Sequence, residues 1–310
     1  MSNKIKKINL IHSFIFFFFA NIFCFSMFKF NLIVPSILCF LLILIVGVSH
    51  GSLDHLKGKK LLKLFNIKLT YIFYITYILI SSVVVVTWIL LPSITLIVFL
   101  IIASYHFGKE DTHFLINNRS YFTQLLYFFK GFLIILAPLT FHFQETIAIF
   151  KLLLIDNEVF YSSLDFIEKN NIIQKGIVFS FLSSVILLLK NFEKKKFLIF
   201  IDYFSILTLN LYLTPLIAFT IYFCFLHSIR HSISLAIELD PDSLVNGFRL
   251  FVKKALALTI LTAVFSFIAL YLLSYSNNLD GAILKIIFIG LASLTFPHIL
   301  LEYFLEKNEK

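Results

Sequence analysis

Charge is what this sequence has least of. Asp, Glu, Lys and Arg make up 14% of its 310 residues, where a soluble domain carries about 25%, so an ordinary water-facing surface is excluded. Cysteine is also scarce. Cys24, Cys39 and Cys224 all lie inside apolar runs and their number is odd, which leaves no disulfide framework and no CxxC metal site. No GxSxG elbow, Walker loop or dinucleotide fingerprint occurs in a fitting context, which removes the usual nucleophile and phosphate chemistries. The first apolar run follows Lys4, Lys6 and Lys7 but leads into Phe25, Met27 and Phe28 without a small-residue cleavage site. It is expected to be a retained first helix.

What is present is apolar. Hydrophobic residues form 60% of the chain and the mean hydropathy is +0.96. These values describe an integral membrane protein. Its length holds about ten spans of ~20 residues with short loops, so residues 1–310 are expected to form a single transmembrane domain. The net charge of +9 does not point to nucleic acid, because the lysines cluster between apolar runs and read as topology signals.

Runs bounded by charged or turn residues predict spans near 9–25, 30–48, 69–91, 93–107, 121–140, 173–190, 197–212, 214–234, 255–274 and 281–303. The expected fold is an all-α polytopic helix bundle with about ten transmembrane helices, and eight if the runs meeting at Pro92 and Pro215 are single kinked helices. Positive charge supports ten. Lys4 to Lys7, Lys57 to Lys68, Lys109 to Arg119, Lys190 to Lys196, Arg249 to Lys254, and the tail with Lys307 and Lys310 then all face the cytoplasm. Segment 141–172, with Glu145, Asp156, Glu158, Asp165 and Glu168, is left outside. The expectation is a multi-pass protein of the inner (plasma) membrane with both termini cytoplasmic.

Five histidines, His50, His106, His227, His231 and His298, recur near the ends of apolar runs. On the ten-span count they close spans two, four, eight and ten, which run in the same direction. All five then lie near the cytoplasmic side at similar depth, where helices can present them around one point. An imidazole in hydrocarbon needs a partner, and a shared metal is the expected one.

The local patterns differ in strength. In GVSHGSLDHLKGKKL, Asp54 is at i+4 from His50, His55 turns elsewhere, and Gly47 and Gly51 leave room for close backbone approach. In ASYHFGKEDTHF, Tyr105 can donate a hydrogen bond and Gly108 can end the helix; Glu110 and Asp111 are expected to face water, though Asp111 can turn back. His227 and His231 in YFCFLHSIRHSISL form an i, i+4 pair on one face, a common two-ligand grip. Arg230 beside them is expected to reach headgroups or a carboxylate. His298 follows Pro297, which can open room in the helix, and has Glu302 at i+4. The bland alternative at each position is a polar helix end or bundle lining, and it is preferred for His12, His113 and His142. Neutral imidazoles without thiolates suit Fe(II), Zn or Cu.

The motifs resemble those of the Brp/Blh family of membrane-bound β-carotene 15,15'-dioxygenases. HGSLDH from His50, YHFGKED from Tyr105, HSIRH from His227 to His231, and FPHILLE around His298 carry the resemblance. The family's first motif more usually reads PHGALD, with Ser49 and Ser52 standing here for its proline and alanine. The resemblance implies non-haem Fe(2+) held by His50, His106, His227 and His231, with His298 in an auxiliary role. It implies O2-dependent cleavage of the central double bond of β-carotene to two retinal molecules, a product that in such organisms typically supplies a microbial rhodopsin. Asp54 and Glu302 are candidates for orienting ligand histidines through their second ring nitrogen, and Tyr105 for an auxiliary hydrogen bond. With the metal near the cytoplasmic third of the bilayer and a substrate about as long as the hydrocarbon core is thick, ~30 Å, the substrate tunnel is expected to be strongly tilted or in-plane, opening laterally to lipid.

Two other classes fit a histidine-rich membrane chain. A di-iron desaturase or hydroxylase needs about eight ligands in HxxxH and HxxHH clusters, and this chain has one HxxxH. A transporter or opsin-associated protein uses buried histidines without oxygen chemistry.

Overall fold

The computed structural model describes residues 3–116, 120–190 and 192–308, with the side chains of Asn3 and His50 outside the described set. Among the described residues there are fourteen α-helices, α1 to α14, and no strand. The first is α1 (Asn3–Phe30). The next apolar run is α2 (Ser36–Leu42), a π-helical turn over Ile43–Gly47, a 3-10 turn over Val48–Leu53 and α3 (Asp54–Leu64). Then come α4 (Tyr71–Leu90) and α5 (Pro92–Glu110). Pro92 sits in the first turn of α5, where its missing N–H costs nothing. Ser120 caps α6 (Tyr121–Phe141) by accepting from the Thr123 amide.

Segment 141–172 is more structured than an outside loop. It forms α7 (Phe143–Leu152) and α8 (Glu158–Lys169), the latter capped by the Asn157 side chain. Phe150, Leu153 and Ile155 are buried, and the buried Trp88 donates its indole N–H to the Leu153 carbonyl at 3.0 Å. After α9 (Ile172–Leu189) come α10 (Leu198–Tyr212), α11 (Pro215–Ile221), a second π-helical turn over Tyr222–Ser228 and α12 (Ile229–Leu239). Ser243 caps α13 (Leu244–Ser274), which begins well before the expected residue 255, and α14 (Leu279–Asn308) passes through Pro297 unbroken.

Nine of the described helical runs are long and apolar enough to cross a membrane. The tenth expected span is α10, 15 residues long. It runs beside α1 as far as the Phe28–Tyr212 ring contact. Lys4 reaches the Pro241 and Asp242 carbonyls and Lys6 pairs with Glu193 at 3.0 Å, so the start of α1, the loop before α10 and the loop after α12 share one end. At that end Lys57 also pairs with Glu302 and Lys109 with Glu306. The opposite end carries the Ser36–Asp280 contact, the Trp88–Leu153 bond and the bond from Lys285 to Asn277. Pro92 and Pro215 therefore separate distinct helices rather than kinking single ones.

Helices α5 and α6 touch backbone to backbone. A Cβ on Gly108 would stand 1.8 Å from the Tyr127 carbonyl oxygen, and one on Gly131 would stand 1.9 Å from that of Ser104. Small residues permit such crossings in membranes, where apolar burial gives helices little reason to associate. Gly108 thus serves this crossing and does not end α5, which continues to Glu110.

Candidate metal centre

His106, His227, His231 and His298 come from three runs, α5, the π turn with α12, and α14, yet their rings meet. Ring centroids lie 5.4 Å apart for His106 and His227, 5.3 Å for His106 and His298, and 5.8 Å for His231 and His298. All four residues are buried. The backbone of His50 belongs to the 3-10 turn that packs beside the second π turn and α12, while its side chain lies outside the described residues. The chain passes from the 3-10 turn Val48–Leu53, which carries His50, into α3 at Asp54.

Three of the imidazoles are held from behind by carboxylates. His298 donates Nδ1–H to both oxygens of Asp54, each at 2.9 Å; His227 donates to Asp111 at 3.1 Å; His231 donates to Glu110 at 3.3 Å. An ionised carboxylate only accepts, so Nδ1 carries a proton in each ring and Nε2 is the nitrogen turned toward the cluster. This is the arrangement by which metal-binding histidines are oriented and made more basic.

Glu110 and Asp111 therefore do not face water as expected. Their side chains are 9% and 3% exposed, because the last turn of α5 is covered by α14 through the Lys109–Glu306 pair and by the chain around Arg230. Asp111 also accepts from the Tyr222 hydroxyl at 2.7 Å. Arg230 reaches a carboxylate rather than headgroups: it clasps Asp202 through both terminal nitrogens, at 2.7 and 3.1 Å, and bonds Ser13 and the Asp111 carbonyl. Both its charge and that of Asp202 are thereby answered inside the bundle.

Glu302 stands on the other side of His298 from Asp54. One of its oxygens is 3.8 Å from His298 Nε2 and accepts from Lys57 at 2.6 Å. Ligand atoms of His106, His298 and Glu302 lie within 4.8 Å of one another, as do those of Glu110, His231 and Glu302. Tyr105 is not brought to this cluster. Its hydroxyl bonds Gln124 and its ring packs with the group around Tyr127.

Aromatic walls fix His227 further. Phe223 stacks on it at 5.8 Å and 15°, and Phe107 meets it edge-on at 4.8 Å. Two π turns shape this wall: Ser228 at the end of one donates to the carbonyl of Gly47 at the end of the other, at 3.3 Å. Such turns shift a helix's register by one residue and are frequent at functional sites.

His106 and His298 open onto a cavity of about 920 Å³. Its floor is α14 and its walls are α4 and α13. Lining residues extend from His298 to Lys285 on α14 and from Leu258 to Leu273 on α13, about 20 Å on each helix at 1.5 Å per residue. The cavity therefore runs along the helices. Of the expected strongly tilted or in-plane tunnel opening laterally, the in-plane course is corrected, because the gap follows the seam between α4 and α13. Both helices are poorly buried, at 11% and 6% of their apolar windows. The groove consequently borders lipid over its length.

Sequence reasoning missed Tyr77, whose hydroxyl bonds Asp54 at 3.0 Å and the Leu294 carbonyl at 3.2 Å, and Lys57 beside Glu302. Glu110 had a signal, its i+4 spacing from His106. Tyr77 had none.

A polytopic helical bundle with carboxylate-held histidines at the head of a lipid-facing apolar groove defines a class of membrane protein suited to chemistry on an apolar substrate. The chain matches the beta-carotene 15,15'-dioxygenase family over residues 41–306 and belongs to it. All four motifs that carried the resemblance lie inside the matched segment. No curated protein and no solved structure matches the chain.

Proposed function

We propose that the protein cleaves β-carotene at its central 15,15' double bond with O2, giving two molecules of retinal, and that Fe(2+) is held by His50, His106, His227 and His231 with His298 facing the same volume. The observation that supports this most is the convergence of buried imidazoles, their Nδ1 atoms tied to carboxylates, at the head of an apolar groove. The donor set fits the ion. Asp54, Glu110, Asp111 and Glu302 bring four carboxylates to the buried site against the single ammonium of Lys57, an excess of negative charge that a dipositive ion balances.

Bound there, Fe(2+) supplies the activation of O2 for insertion into the substrate. In the net reaction the C=C bond breaks and each of its carbons takes one atom of O2 as an aldehyde oxygen. No outside reductant is needed. The chain positions the polyene along α14, keeps water from the reacting bond with Phe107 and Phe223, and holds the rings of His298, His227 and His231 through Asp54, Asp111 and Glu110.

Co-expression in β-carotene-producing cells tests the reading. The cells are expected to bleach with accumulation of retinal, and His227→Ala is expected to abolish this while His142→Ala, at the remote start of α7, is not. Persistent colour with folded, iron-loaded protein overturns it.

A further inference from the structure

The groove is lopsided about the histidines. On one side it follows α14 from His298 to Lys285, about 20 Å. On the other it stops within about 6 Å, the distance along α4 from Tyr77, which bonds Asp54, to Phe73. A symmetrical substrate of ~30 Å, the thickness of the hydrocarbon core, does not fit it end to end. One half, about 15 Å, fits within it, with its bulky ring toward the far end and the central bond near His106 and His298.

The far end is built rather than merely open. Leu154 lines it from the α7–α8 connection, held there with φ 69°, a left-handed conformation that a leucine adopts only under constraint. Leu153 beside it is anchored by the Trp88 indole. Leu273 and Lys285 close the same end, with Lys285 tied to Asn277 at 2.5 Å. The connection is thus fixed by bonds that serve no purpose at the histidines, some 20 Å away.

We propose that this groove is a ruler: one ring-bearing half of a linear polyene lies along α14 with its ring stopped by Leu154, Leu273 and Lys285, and the distance from that stop to the histidines selects the bond that is cut. The other half turns out of the groove through the α4–α13 seam into lipid. This rests on the carotenoid-cleaving reading and adds what sets its position of attack. Whichever double bond is chosen, one O2 is consumed and two carbonyl groups form.

The experiment changes the ruler's length in the full chain and reads the products. Ala269 and Ile286 both line the groove near the stop, and Ala269→Phe or Ile286→Trp shortens it. Leu154→Gly lengthens it at a φ that glycine adopts freely. Ile260, half-exposed on α13 and not part of the lining, provides Ile260→Trp as a control for bulk. Products from β-carotene and from an apocarotenal lacking one ring are resolved by chromatography and mass.

The control is expected to give retinal as the unaltered chain does. Shortened variants are expected to give at least tenfold less retinal from β-carotene, with unequal fragments in its place or with cleavage of the ring-lacking substrate retained. Leu154→Gly is expected to add unequal fragments. Retinal alone at unaltered yield from the shortened variants overturns the ruler, as does loss of all turnover in them while Leu154→Gly yields retinal alone. Absence of cleavage by the unaltered chain is a different result and counts against the carotenoid reading itself.

Discussion

A histidine becomes a dependable ligand only when its second nitrogen is committed, and here three carboxylates make that commitment. Asp111 carries the most, since it accepts from His227 and from Tyr222 and is itself enclosed. Asp111→Ala is expected to weaken iron binding 10–100-fold, the usual cost of losing such a partner, with Asp111→Asn intermediate because an amide oxygen still accepts from Nδ1–H. Titration of iron into metal-free protein measures both, and unchanged affinity in Asp111→Ala sinks the idea. Lys57 is expected to hold the site to a single metal. Its ammonium lies 2.6 Å from Glu302, the residue shared by both donor groups near the cluster, and a cation already seated there repels a second ion. One iron per chain is expected by elemental analysis of purified protein, whereas two would favour a di-iron enzyme. The histidines were legible in the sequence because an imidazole at the end of an apolar run is unusual. Glu110 and Asp111 were not, since charged residues after such a run look like a helix emerging into water; only the covering of that turn by α14 and Arg230 makes them interior.

At the scale of elements, the crossing of α5 and α6 positions His106, because Gly108 sits one half-turn beyond it and lets the two backbones meet. Gly131→Val is expected to force these helices apart, since even a Cβ falls 1.9 Å from the Ser104 carbonyl oxygen. A cost of about 3 kcal/mol or more follows for overpacking that no side chain can relieve. Thermal unfolding in detergent reads it, and a stability equal to the unaltered chain's disproves the close approach. The apolar spans themselves were written plainly in the hydropathy, down to the short α10. Two boundaries were not. Leu244 to Lys254 contains Arg249, Lys253 and Lys254 and looks like a loop, but the Ser243 cap and packing against α12 extend α13 through it. Likewise the acidic composition of 141–172 concealed α7 and α8: α7 buries Phe143, Thr146, Ile147 and Phe150 on one face but is only ten residues long, and α8 buries none.

For the whole molecule, the fold ties Lys4, Lys6, Lys57 and Lys109 to one end, and that is the end toward which the histidines are displaced. Lys4, Lys6, Lys57 and Lys109 each bond a partner from a distant helix terminus there, at Pro241, Glu193, Glu302 and Glu306. That the lysine-rich segments share one side was expected from the sequence, but the groove's direction was not, because hydropathy says which segments cross and not which of them stand apart as α4 and α13 do. Charge bias then orients the bundle: short loops rich in Lys and Arg stay cytoplasmic. The metal centre is expected nearer the cytoplasmic face, with the groove descending from it toward α7 and α8 at the outer face. A fluorescent protein fused after α14 should therefore glow, since it folds only in the cytoplasm, and an alkaline phosphatase inserted in the loop between α8 and α9, at 170–171, should be active. The opposite pattern inverts the molecule, placing the histidines toward the outer leaflet and the ring stop toward the inner one. That result would leave the groove's geometry intact while reversing the side on which the uncovered half of the substrate and the released aldehyde emerge.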